Sequence, residues 1–163
     1  MDIAPLVGTL LGGLIGIGSS TVTERVRRRR DRDDRSEQIR RDAFGDFHTR
    51  GTEAAVAMRQ VAREAKQAKK DVGLAVREAM NDSGVYSAYH QLCLVGSEDV
   101  VVHARAAIDA LTATRDLLID GADIAGDEYV AAREKLRYAM AVLRNSMRRE
   151  LGMAELPLDV LMR

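Results

Sequence analysis

His90, Cys93 and His103 are the side chains in this sequence best suited to holding a metal. Positions 90 and 93 are three apart, so on a helix they share a face. Zinc usually takes four ligands, and here one Cys and two His lack a second Cys or a carboxylate at a recognised spacing. Cys93 is the single cysteine. No internal disulfide is possible, which is consistent with a reducing compartment. Nothing in its surroundings supplies the positive potential that activates a thiolate, so its expected place is a small buried core position. The glycines at 12, 13, 16 and 18 lack the Lys and Ser/Thr of a phosphate loop. The carboxylate pairs Asp31/Asp34 and Asp123/Asp127 fall on solvated or loop stretches. Tyr86, Tyr89, Tyr129 and Tyr138 read as ordinary helix packing. No set of groups of the kind catalysis needs assembles. The expectation is a non-enzyme, with no catalytic residue, cofactor or metal.

The elements around these residues are more informative. Residues 3–22, IAPLVGTLLGGLIGIGSSTV, carry no charge. About 20 such residues, at ~1.5 Å rise each, span a hydrocarbon core of ~30 Å. Arg25, Arg27, Arg28, Arg29 and Arg30 follow with no acid after position 24 until Asp31. An uncharged span flanked in this way predicts an anchor in the cell membrane, with a short N-terminus outside and the remainder in the cytoplasm. A secretory signal would carry its positive charge before the apolar run, where this chain has Asp2. Ala4, Gly8, Gly12, Gly16 and Ser20 recur every four residues. A small-residue stripe of this kind lets helix backbones approach closely, so the anchor is expected to self-associate. The arginines are expected at anionic lipid headgroups, at roughly 1 kcal/mol per basic residue near the surface.

Beyond the anchor, residues 24–41 form a charged helical stretch with Val26 and Ile39 as its large apolar residues. It cannot bury a face and reads as a solvated stalk. A seam of alternating three- and four-residue steps then runs through Phe44, Phe47, Gly51, Ala54, Met58, Val61, Ala65, Ala68, Val72, Ala75 and Ala79. That is a heptad repeat, with mostly Ala knobs that demand close partners. Residues 81–84, NDSG, are a turn signal. Residues 85–95 suit helix or strand; with no strand partner in the chain they read as helix, ended by Gly96. Ser97 is the expected N-cap of a helix reaching about Asp120. Its apolar face is Val100, Ala104, Ala107, Leu111, Thr114 and Leu118. A loop containing Gly121 and Gly126 leads to a last helix beginning near Asp127. Tyr129, Ala132, Leu136, Met140, Leu143, Met147 and Leu151 form its apolar face, and Gly152 caps it. The tail after Gly152 is more apolar than a free end needs, and suits folding back on the bundle or docking on a partner.

Composition agrees with helices. Aromatic residues make up 4% of the chain and Trp is absent, so the core must come from small and aliphatic side chains. The prolines are Pro5 and Pro157, leaving a long stretch without a break. Lys+Arg and Asp+Glu are equal at 25 each, which argues against a general nucleic-acid binder. The expected fold is all-α: a transmembrane helix (1–23) running into a helical stalk (24–41), then an antiparallel three- to four-helix bundle (42–152) and a tail (153–163).

The single N-terminal span, the RRRRDRDDR block and the turn LCLVGSEDV before an Ala-rich helix resemble those of small uncharacterised single-pass membrane proteins of actinobacteria. That resemblance implies a membrane-tethered cytoplasmic helical domain and assigns no functional residue. The function expected from the residues is a membrane-anchored, self-associating interaction or scaffold protein. Its partners would be membrane lipid, further copies of itself and an unidentified cytoplasmic protein, not nucleic acid. The alternative is an oligomeric membrane-permeabilising effector of the phage lysis or defence type.

Overall fold

The computed structural model describes the backbone of residues 4–162, and the side chains of residue 32 and residues 34–162. All its regular structure is helical: α1 (Ala4–Ala68), α2 (Val72–Asp82), α3 (Val85–Val95), α4 (Glu98–Ile119), α5 (Asp127–Glu150) and α6 (Leu158–Leu161). The chain divides into two units, 1–38 and 39–163, and the second holds the packed core. From residue 32 to residue 42 no described side chain is buried. A segment of alternating charge has no apolar face to remove from water. Burial begins with Ala43, Phe44 and Phe47.

From residue 39 onward the helices form four legs alternating in direction. The first is the later part of α1. The second is α2 and α3 together, the third α4, the fourth α5. Antiparallel pairing of α4 and α5 is visible at their ends. There the Ser97 N–H and hydroxyl both donate to Glu150 Oε2, at 3.0 and 2.7 Å. Arg149 Nη2 donates to Asp99 Oδ2 at 2.7 Å. Short connections force this up-and-down order. The core is built from Phe47, Met58, Met80, Leu92, Leu111 and Leu143, all almost wholly buried. Methionine fills the irregular gaps that an Ala-rich lattice leaves. Thr114 lies on the buried face of α4 and satisfies its hydroxyl locally, donating to the Ala110 carbonyl at 2.9 Å.

The heptad seam is not one helix. α1 stops at Ala68, and Lys69 takes a left-handed φ of 52°. Asp71 then caps α2, its side chain accepting from the Leu74 N–H at 3.0 Å. The break resets the helical phase. Val76 and Met80 are the buried residues of α2, while Ala75 and Ala79 are half-buried and Ala68 is exposed. Residues 85–95 are helical, as their lack of a strand partner predicts. One further expectation holds in position only, and another is corrected. Ser97 stands at the N-cap position of α4 but makes no capping bond, because its hydroxyl is drawn to Glu150. Cys93 is half-buried, not a core residue, since α3 turns Val85, Ala88 and Leu92 inward instead.

The second leg bends between α2 and α3, and the bend is held by α1. Gly84 has φ 68°, a conformation glycine adopts without strain. The Ser83 hydroxyl donates to the Met80 carbonyl at 2.7 Å and accepts from the Val85 N–H at 3.2 Å. Arg50 Nη1 donates to the Ser83 carbonyl at 3.1 Å, while its Nε is held by Asp46 Oδ1 at 2.8 Å. Phe47 and Tyr89 pack with ring centroids 6.1 Å apart, which ties α3 to the same stretch of α1.

Candidate functional site

The sites expected from sequence, Ala4, Gly8, Gly12, Gly16 and Ser20 for association and Arg25, Arg27, Arg28, Arg29 and Arg30 for lipid, lie outside the described side chains. Among the described residues no helix is long and apolar enough to cross a membrane. His90, Cys93 and His103 are not gathered. His90 is exposed and stacks its ring edge near Tyr89, with centroids 5.7 Å apart. His103 Nδ1 donates to the Asp99 carbonyl at 2.8 Å. Among the described residues no cluster of His, Cys, Asp and Glu could hold a metal ion.

What the fold does assemble is a groove between α1 and α5, roofed by the tail. Gly152, with φ 70°, closes α5. Its N–H donates to the Arg149 carbonyl at 3.0 Å, and the Met153 N–H to the Arg148 carbonyl at 2.8 Å. These two bonds make a Schellman cap, which turns the chain back along the helix it has just left. Asn145, buried on α5, then catches the tail. Its Nδ2 donates to the Leu156 carbonyl at 2.8 Å, and its Oδ1 accepts from the Leu156 N–H at 3.0 Å. Pro157 precedes the single turn of α6, and Leu161 and Met162 reach the groove. The groove, open on one side, has a volume of about 210 Å³, with Gly51, Leu136 and Met140 among its walls.

Two polar groups meet at its edge. Arg144 of α5 donates from Nη2 and Nε to His48 Nε2, at 2.6 and 3.2 Å. A nitrogen that accepts from a guanidinium carries no proton, so the neutral ring bears its hydrogen on Nδ1. Burial lowers the His48 pKa, and the Arg144 charge lowers it further. Among the described residues Arg144 forms no ion pair, and the neutral imidazole that it meets supplies no counter-charge. The Thr52 hydroxyl on the same wall is already spent on the His48 carbonyl, at 2.9 Å. The arrangement can hold an acidic or amide group against an apolar floor. It presents no activated nucleophile.

Sequence reasoning pointed to the apolar tail but passed over His48, Arg144 and Asn145. One signal was there. Asn145 and Ser146 sit between Leu143 and Met147, so two polar residues interrupt an apolar face. Both are buried, and Ser146 satisfies itself on the Leu143 carbonyl at 2.9 Å.

The fold thus defines an all-α protein whose bundle carries its own tail as a strap. No protein-family model, no curated protein and no solved structure matches the chain.

Proposed function

We propose that this chain is a membrane-anchored, self-associating interaction module without enzymatic activity. Its cytoplasmic bundle, with the strapped groove between α1 and α5, is the part offered to a protein partner. The observation that carries the reading is the uncharged run 3–22 followed, after Thr23 and Glu24, by Arg25 and the arginines at 27–30. That run is long enough for a hydrocarbon core of ~30 Å, and its flank sets the bundle on the cytoplasmic side. The stripe Ala4, Gly8, Gly12, Gly16 and Ser20 supports close helix pairing, and the arginines suit anionic headgroups. The groove supports the partner half of the reading, because an apolar floor edged by a guanidinium that has no ion pair among the described residues suits a peptide segment.

Topology is the test. A reporter fused after Arg163 should be active only in the cytoplasm, and the chain should stay with membranes through alkaline carbonate. Gly12→Ile should weaken self-association in a membrane assay by inserting a branched side chain at the contact, and Gly13→Ile, off the stripe, should do so less. Reporter activity on the outer side, or release by carbonate, overturns the reading. Dye release from liposomes by the purified chain would replace it with a membrane-permeabilising one.

A further inference from the structure

A second cavity, of about 300 Å³, lies at the opposite end of the bundle from the α4–α5 termini that join Ser97 to Glu150. Its size is at the lower end of the ~300–1,000 Å³ range of small-molecule sites. The last turns of α1, the start of α2, the end of α4 and the loop before α5 enclose it. Ala62, Val72, Leu118 and Ile124 give it an apolar interior. Gly121 at its wall faces open space, since a Cβ there would meet nothing within 4 Å, and its φ of 85° makes the turn that shapes the wall.

Its lip is cationic. Arg63 and Lys66 line it from α1, and among the described residues neither side chain has an ion-pair or hydrogen-bond partner. The one acid of the lining is Asp123, whose Oδ1 is turned to the Ala125 N–H at 3.4 Å. Two cations against one engaged carboxylate leave the mouth positive. Lys66 in the last turn of α1 is also what the carbonyl end of any helix favours, but Arg63 lies a turn earlier. The charge extends further along the same face. Arg59 and Arg63 of α1 and Arg133 of α5 all act on the buried Tyr129 phenol, opposing the rise in its pKa that burial causes, and no acid is among the groups that shift it.

We propose that this cavity binds a single-chain anionic amphiphile, a carboxylate or phosphate monoester on a short aliphatic tail, with the tail against Leu118 and Ile124 and the head on Arg63 and Lys66. A neutral amphiphile would leave the cations at the lip unpaired, and a cationic one would be repelled. The proposal rests on the bundle alone and stands or falls independently of the membrane reading.

The test uses the full chain in zwitterionic phosphatidylcholine nanodiscs, titrated calorimetrically with octanoate, octyl phosphate, octanol and octylammonium against empty discs. At least one of the two anions should bind saturably, and the tighter of the two names the head group. Octanol and octylammonium should show no binding beyond the empty discs. Arg63→Glu with Lys66→Glu should weaken the anion by about tenfold or more. Ala122→Trp, which fills the cavity without changing its charge, should do the same. Lys66→Glu alone, at an exposed position, should weaken binding by several fold and serves where the tryptophan variant does not fold. Octanol binding as tightly as the anions, unchanged affinity in the charge variants, or saturable binding of neither anion overturns the proposal.

Discussion

The Asn145 carboxamide holds both backbone polar atoms of Leu156, donating to its carbonyl at 2.8 Å and accepting from its N–H at 3.0 Å. The side chain is 7% exposed, so the pair is sheltered from competing water. It is the buried tie between the tail and α5, beside two exposed ones from Arg148 Nε to the Ala154 carbonyl at 2.8 Å and from Arg149 Nη1 to Glu155 Oε1 at 2.6 Å.

Asn145→Ala removes that hold. The expected result is faster amide exchange confined to residues 156–162, and a stability loss of about 1–2 kcal/mol for the lost bonds and the exposed groove. Hydrogen exchange read by mass spectrometry checks it. Exchange at the tail unchanged from the parent chain would mean that Leu161 and Met162 hold the strap without Asn145.

The His48–Arg144 contact makes stability depend on pH. Burial first, and the Arg144 charge second, lower the His48 pKa below its ordinary 6.5. The folded chain therefore binds fewer protons than the unfolded chain between those two values. The contribution is fully present above about pH 6.5 and is lost as pH falls through that window towards the folded value. His48→Gln keeps an acceptor for Arg144 and removes the titration. Between about pH 7.5 and about pH 5.5 the urea midpoint should fall further for the parent chain than for His48→Gln. Equal falls would show that His48 does not carry the dependence.

Two glycines separate space from conformation. A Cβ on Gly51 would lie 3.3 Å from Met140 Cε, the far end of a flexible side chain. The helix gains ~0.8–1 kcal/mol from Ala over Gly, so Gly51→Ala should be neutral to stabilising. Gly84 has φ 68°, and a Cβ there would sit 2.8 Å from Arg50 Nη1, the group that secures the Ser83 carbonyl. Gly84→Ala should cost about 1–3 kcal/mol. Thermal melts of the two variants should move in different directions or by clearly different amounts.

Ala65 is 5% exposed and faces the core, while the neighbouring Lys66 is exposed. Ala65→Glu should cost several kcal/mol by burying a charge without a partner. Lys66→Glu should stay within about 0.5 kcal/mol. A Lys66→Glu variant as unstable as Ala65→Glu would contradict the packing of this part of α1.

Much of the fold was legible locally. Val100, Ala104, Ala107, Leu111, Thr114 and Leu118 are all buried, as their spacing requires. Gly152 ends α5, and the loop carrying Gly121 and Gly126 separates α4 from α5. These features depend on helical period and cap chemistry, which act within a few residues. The tertiary structure alone decided where the seam breaks, because Ala68, Val72, Ala75 and Ala79 continue the period without a miss while Lys69 and Asp71 end one helix and start another. Once the phase is reset, packing against α4 selects Val76 and Met80. It also decided the partners of the polar groups. Ser97 has local N-cap chemistry but binds Glu150, 53 positions away, and His48 meets Arg144, 96 positions away. A local pattern records which face of a helix is apolar. Which polar groups then come within 3 Å of one another follows from how the legs are set side by side, and that arrangement has no period in the sequence.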